Sequence, residues 1–155
     1  KHKIADESYY VKKHLEESGI SREILKDRSI LLVEDNDLNA EIAAVILERA
    51  GLKVERVEDG LQCISRITEM PAGTYDIILM DIQMPKMDGY KATQTIRNLS
   101  DQEKACIPII AMTANAFEED KRAAIAAGMN GHIAKPIQVD KLLSILAEMI
   151  RQQEN

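Results

Sequence analysis

Five short apolar runs, rich in β-branched residues, alternate along this chain with five stretches whose apolar positions recur every three or four residues. The runs cover residues 30–33, 53–57, 75–80, 107–112 and 131–134. All five predict strands, and the third, nearly all apolar, predicts a strand buried on both faces of a sheet. The stretches between them carry helix signals. Asp37 can cap a helix to about residue 50, with Gly51 as its left-handed terminator and Leu38, Ile42, Val45 and Ile46 at helical spacing. Asp59 and Gly60 open a second helix to about residue 70, and Asp88 a third over about 89–98. A fourth is predicted over about 117–127, closed by Gly128, and a fifth over about 139–151.

Strict strand–helix alternation implies βαβ units, a parallel sheet and helices on both faces. The predicted class is therefore α/β: a flavodoxin-like, doubly wound, five-stranded parallel sheet. The order 2-1-3-4-5 is adopted as the common one for such folds, because spacing alone does not select it. The domain is expected over residues 29–152. Residues 1–28, charged and poor in apolar positions, are expected to form an N-terminal linker or extension, with a short helix near 9–17.

Polar chemistry then gathers at one place. The third run ends in Asp81, the first in Glu34-Asp35, the fourth in Thr113 and the fifth in Lys135-Pro136. In a parallel sheet these C-terminal ends share one edge, where open α/β sheets place their ligands. Three carboxylates crowded there repel one another unless a cation joins them. Hard oxygen donors point to Mg2+. The scattered positions of His2, His14, His132, Cys63 and Cys106 argue against zinc. Asp81 can attack phosphorus to form an acyl phosphate, while Lys135, Thr113 and the cation meet the phosphoryl oxygens.

Composition narrows the partners. The chain has 155 residues, 45% hydrophobic and 30% charged, with a formal net charge of -6. That balance fits one globular domain and argues against direct nucleic-acid binding. No apolar stretch reaches the ~20 residues of a membrane span, so no membrane insertion is expected. The absent initiator Met suggests a piece of a longer protein. The two cysteines, without CxxC spacing, are expected to be buried and reduced, in a cytoplasmic setting.

Four motifs carry a resemblance: Val33-Glu34-Asp35-Asn36, Leu79-Met80-Asp81-Ile82-Gln83-Met84-Pro85-Lys86-Met87-Asp88-Gly89, Ala111-Met112-Thr113-Ala114 and Ala134-Lys135-Pro136. Together they resemble the receiver domain of two-component response regulators. The wording is most similar to receivers attached to hybrid sensor histidine kinases.

The resemblance implies roles. Asp81 would accept a phosphoryl group from a phosphohistidine. Asp35, Asp81 and the backbone carbonyl of Gln83 would ligate Mg2+, with Glu34 acting mainly through the metal's waters. Thr113 would move toward the phosphoryl group, and Lys135 would pair with it. His132 stands where the family commonly has Tyr or Phe, three residues before the Lys, as part of the switch. Gln83 and Asn115 would tune phosphoryl lifetime. The implied partners are a histidine kinase and/or a histidine phosphotransfer domain, meeting Leu38, Ala40 and Ile46 on the first long helix. A homodimer is left open, as is membrane anchoring of the parent protein. Enzymatic activity is left open too: the domain is expected to be a phosphoacceptor switch within a parent of the hybrid histidine kinase kind.

Rival readings are weaker. An aspartyl-nucleophile, Mg-dependent phosphatase of the haloacid dehalogenase type wants Asp-x-Asp, and Asp81-Ile82-Gln83 lacks it. No Ser/Thr/Gly-rich loop for a flavin phosphate follows the first run, and no Gly-x-x-x-x-Gly-Lys loop for a nucleotide exists. An unphosphorylated docking module is the principal alternative, and the intact acidic set argues against it.

Overall fold

A computed structural model describes residue 13, residues 22–114 and residues 118–154. Apart from residue 13, the helix expected near 9–17 lies outside the described residues, as do His14 and Asn115. In chain order the elements are α1 (Arg22–Leu25), β1 (Ser29–Val33), α2 (Asp37–Arg49), β2 (Lys53–Val57), α3 (Gly60–Glu69), β3 (Ile77–Asp81), α4 (Gly89–Arg97), α5 (Gln102–Ala105), β4 (Ile109–Thr113), α6 (Glu118–Ala127), β5 (Gly131–Ala134) and α7 (Val139–Glu154). The strands form one parallel sheet in the order β2-β1-β3-β4-β5, as expected.

The three central strands are buried throughout except at Ser29. Side chains alternate across a strand, so each strand feeds two cores. Ile30, Leu32, Ile77, Leu79, Ile110, Met112 and Ile133 pack with residues of α2 and α7. Leu31, Val33, Ile78, Met80, Ile109 and Ala111 pack on the other side with residues of α3, α4 and α6. Helices therefore cover both faces. The same alternation aims the site: Glu34, Asp81 and Lys135 each stand two residues beyond a first-core residue, Leu32, Leu79 and Ile133.

Several local expectations need correction. The N-cap of α2 is Asn36, whose side chain accepts from Asn39 N–H at 2.9 Å. Asp37 is the first helical residue and pairs outward with Arg56. The buried face of α2 is Ala40, Ala43, Ile46 and Leu47, because small alanines let the helix approach the sheet closely. Leu38 is 63% exposed. Ala40 and Ile46 are thus core residues and cannot serve as a docking face. β4 begins at Ile109 rather than Ile107: Pro108 has no N–H for the ladder, although its carbonyl accepts from Ile78 N–H. The four-residue α5, capped by Asp101, leaves no signal in the sequence pattern because one turn carries no periodicity. Cys63 is buried, which pushes its thiol up to about 12, whereas Cys106 is exposed.

Within the stretch expected as a linker, Leu25 is fully buried in the first core, and Ile24 packs against it. Asp27 N–H donates to the Gly51 carbonyl, so this segment is tied to the turn after α2. Gly51 has φ of 99°, the left-handed terminator expected.

Candidate functional site

The site is built from strand ends. Glu34 follows β1 and is 1% exposed; Asp81 ends β3 and is 5% exposed. Such burial of charge is costly unless opposite charge and hydrogen bonds are supplied. Lys135, just after β5, supplies both. Its Nζ donates to Glu34 Oε1 at 2.7 Å and to Asp81 Oδ2 at 3.0 Å. Burial works to lower the Lys135 pKa, but the hydrogen bonds to Glu34 and Asp81 and the field of both carboxylates outweigh it and raise the pKa. The ammonium is therefore firmly charged at neutral pH.

The remaining carboxylate oxygens are also placed. Asn36 N–H donates to Glu34 Oε2 at 3.2 Å, and Gln83 N–H donates to Asp81 Oδ1 at 3.1 Å. Asp35 is exposed, yet carboxylate oxygens of Glu34, Asp35 and Asp81 all lie within 4.8 Å of one another. Three carboxylates against one ammonium leave two negative charges uncompensated. An all-oxygen donor set with that excess suits a hard divalent cation.

Thr113 ends β4, is buried, and its carbonyl accepts from Lys135 N–H at 2.8 Å, which brings β5's exit beside it. With Asp35, Gln83, Met84, Tyr90 and Asp120 it lines an open cleft of about 500 Å3 beside Asp81. The Lys135-Pro136 bond is cis. His132 stands apart from the carboxylates. It is half-buried on β5 and lines a separate surface hollow with Lys121, Lys141, Ile145 and Glu148.

The β3–α4 loop carries Gln83 and is pinned from two sides. Gly89 N–H donates to the Ile82 carbonyl at 2.9 Å, and Asp88 caps α4 through Lys91 N–H. Lys86 Nζ lies 3.6 Å from the buried carboxylate of Asp59, the cap of α3. One residue at the site gave no sequence signal: Arg56, on β2. Its Nε and Nη2 both donate to the Glu34 carbonyl, at 3.0 and 2.8 Å. An isolated basic residue in an edge strand carries no motif, and only the β1–β2 register places it beside the acidic pair.

A doubly wound parallel sheet with carboxylates, a threonine and a lysine at its C-terminal edge defines a receiver-type α/β domain. Residues 30–147 match the response regulator receiver domain family, and the chain belongs to it. It is a receiver domain of two-component signalling, of the kind found in hybrid histidine kinases.

The signal transduction histidine-protein kinase BarA of Escherichia coli K12 is 38% identical over 118 residues, covering 76% of this chain and 12% of the kinase. This chain therefore spans only a small part of that relative's length. Among solved structures, it resembles the receiver domain of sensor histidine kinase PA1611 from Pseudomonas aeruginosa PAO1, which has a magnesium ion coordinated in its active site cleft. The TM-score is 0.72 at 39% identity, over 81% of this chain and 98% of that one. It also resembles a Saccharomyces cerevisiae co-crystal of the histidine phosphotransfer protein Ypd1 with the receiver domain of the response regulator Ssk1. There the TM-score is 0.75 at 27% identity, over 83% of this chain and 92% of that one. Among the described residues, no helix is long and apolar enough to cross a membrane.

Proposed function

We propose that Asp81 accepts a phosphoryl group from a phosphohistidine in an Mg2+-dependent reaction, and that the acyl phosphate resets a partner surface. The observation that carries this reading is the buried Asp81 carboxylate held between Lys135 Nζ and Gln83 N–H, with Glu34 and Asp35 alongside. A carboxylate oxygen of Asp81 bonds to phosphorus as the donor's P–N bond breaks; the leaving imidazole keeps the electron pair and takes up a proton.

Glu34, Asp35, Asp81 and the Gln83 backbone carbonyl would hold the metal, which supplies positive charge toward the phosphoryl oxygens when bound. Lys135 shifts from Asp81 Oδ2 to a phosphoryl oxygen, and the Thr113 hydroxyl donates to another. The Gln83 N–H keeps the carboxylate plane aimed into the cleft. His132, on the neighbouring strand, would read the movement of Thr113 at the protein surface.

The test is intact mass after incubation with acetyl phosphate. A labile phosphoryl adduct that requires Mg2+ and is lost entirely in Asp81→Asn is the expected result. An adduct retained by Asp81→Asn would place the chemistry elsewhere. No adduct from the folded wild-type chain would favour a docking module.

The donor we infer is a histidine phosphotransfer domain or a histidine kinase. Leu38, the second residue of α2 and close to the acidic pair, is the exposed apolar residue best placed to meet it. Leu38→Asp should slow transfer from a cognate phosphotransfer domain about tenfold, the loss typical of one interface anchor. Phosphorylation by acetyl phosphate and the melting temperature should not move. Unchanged transfer between the proteins would exclude Leu38 from the contact.

A further inference from the structure

We propose that Arg56 is the positioning residue of the metal site: it fixes the peptide that carries Asp35, and thereby sets the affinity for Mg2+. The inference rests on the reading of the acidic cluster given above.

Asp35 is the member of the acidic cluster open to solvent. Its carboxylate is exposed, and among the described residues no hydrogen bond or ion pair holds it. Glu34 is locked by Lys135 and Asn36, and Asp81 by Lys135 and Gln83. Asp35 owes its place in the cluster to the backbone alone. The peptide unit that precedes it is the Glu34 carbonyl joined to the Asp35 nitrogen, and this is the carbonyl that Arg56 grips with two donors. On the other side of the same residue, Glu34 N–H donates to the Val57 carbonyl at 3.1 Å. The third guanidinium arm, Nη1, reaches Asp37 Oδ1 at 2.8 Å in the first turn of α2. One side chain on β2 thus braces both ends of the turn that presents Asp35.

A planar, forked guanidinium can make these contacts together, and a lysine ammonium cannot. Groups that orient metal ligands without touching the metal commonly change affinity by about 10–100-fold when removed.

Charge and positioning predict opposite signs. Arg56 is a cation close to a cation site, so by Coulomb's law its removal alone would tighten Mg2+ binding. Loss of positioning would weaken it. The experiment is an Mg2+ titration of the full chain, followed by backbone amide chemical shifts, for wild type, Arg56→Met and Arg56→Lys. We expect both variants to bind Mg2+ about tenfold more weakly, with amide shifts unchanged away from residues 34–38 and 56. The Mg2+ concentration needed for half-maximal acetyl phosphate labelling should rise by the same factor, and the rate at saturating Mg2+ should return to the wild-type value.

Equal or tighter binding in the variants, beside normal binding by the wild type, would overturn the role of Arg56 and leave the site reading intact. A folded wild-type chain that binds no Mg2+ would overturn both. Arg56→Lys keeps the charge and most of the stem, so it decides the matter if the Met variant is too unstable to titrate.

Discussion

Lys135→Met should destabilise the metal-free protein by about 3 kcal/mol, because breaking a buried ion pair strands the charge that remains. Glu34 and Asp81 are almost fully buried, and their shared cation is Lys135. With total stability for such a domain of about 5–15 kcal/mol, the loss is a large fraction. Urea unfolding in chelator measures it. Magnesium should then restore more stability to the variant than to the wild type, since the same oxygens lose a competing ammonium and the cation binds an emptier negative site. A variant as stable as the wild type without metal would mean that solvent, not Lys135, carries the carboxylate charge.

The pH dependence follows from the raised Lys135 pKa. A basic group whose folded pKa lies above its unfolded value contributes stability that is fully present below the unfolded value. For Lys135 that ordinary value is 10.5. The contribution is lost as pH rises through the higher folded pKa. The gap between wild type and Lys135→Met should therefore hold from neutrality to about pH 10 and narrow only above that range. A gap that closes already between pH 7 and 9 would show that another group is titrating.

Lys135 and Arg56 illustrate two uses of a cation beside an acidic cluster. Lys135 touches the carboxylates and, on the proposed function, would compete with metal. Arg56 touches a carbonyl and, on the inference above, helps metal by holding the turn. Only the first was legible in the sequence, because Lys135-Pro136 closes a strand-like run at the same edge as Asp81. The second depends on β2 lying beside β1, a fact of topology that no local pattern encodes. The same distinction runs through the fold. Runs such as 77–81 and 109–113 were readable because burial on both faces leaves an unbroken apolar signature.

Other features resisted for identifiable reasons. Strand order is a property of crossovers, so the order came from the commonness of the fold and not from spacing. The buried face of α2 is hidden from the sequence pattern because the small Ala40 and Ala43 are buried while the larger Leu38 faces out. Adjacent Asn36 and Asp37 are both good caps, and backbone geometry at the start of the helix chose Asn36. Leu25 sits alone in a polar stretch, and one apolar residue is too little pattern to announce a core contact.

Gly89→Ala should slow acetyl phosphate labelling about 100-fold and lower stability by about 2 kcal/mol, although alanine is the better helix former. A Cβ at this first residue of α4 would lie 2.7 Å from the Asp81 carbonyl oxygen and 2.9 Å from Ile82 Cα. Both neighbours are backbone, so no rotamer change relieves the overlap. The helix end cannot simply withdraw either. Gly89 N–H is bonded to the Ile82 carbonyl, and the buried Thr93 hydroxyl donates to the Gly89 carbonyl at 2.8 Å. What yields must be the end of β3, and with it the Asp81 carboxylate and the Gln83 N–H that aims it. Replacing glycine in an open helix should gain up to about 1 kcal/mol, so the sign of the stability change separates the two effects. Gln94→Ala, exposed in the middle of α4, is the control for propensity without a clash. A Gly89→Ala protein that is both more stable than wild type and labelled at the wild-type rate would show that α4 and β3 are free to part, and that the close approach at Gly89 does not set the position of Asp81.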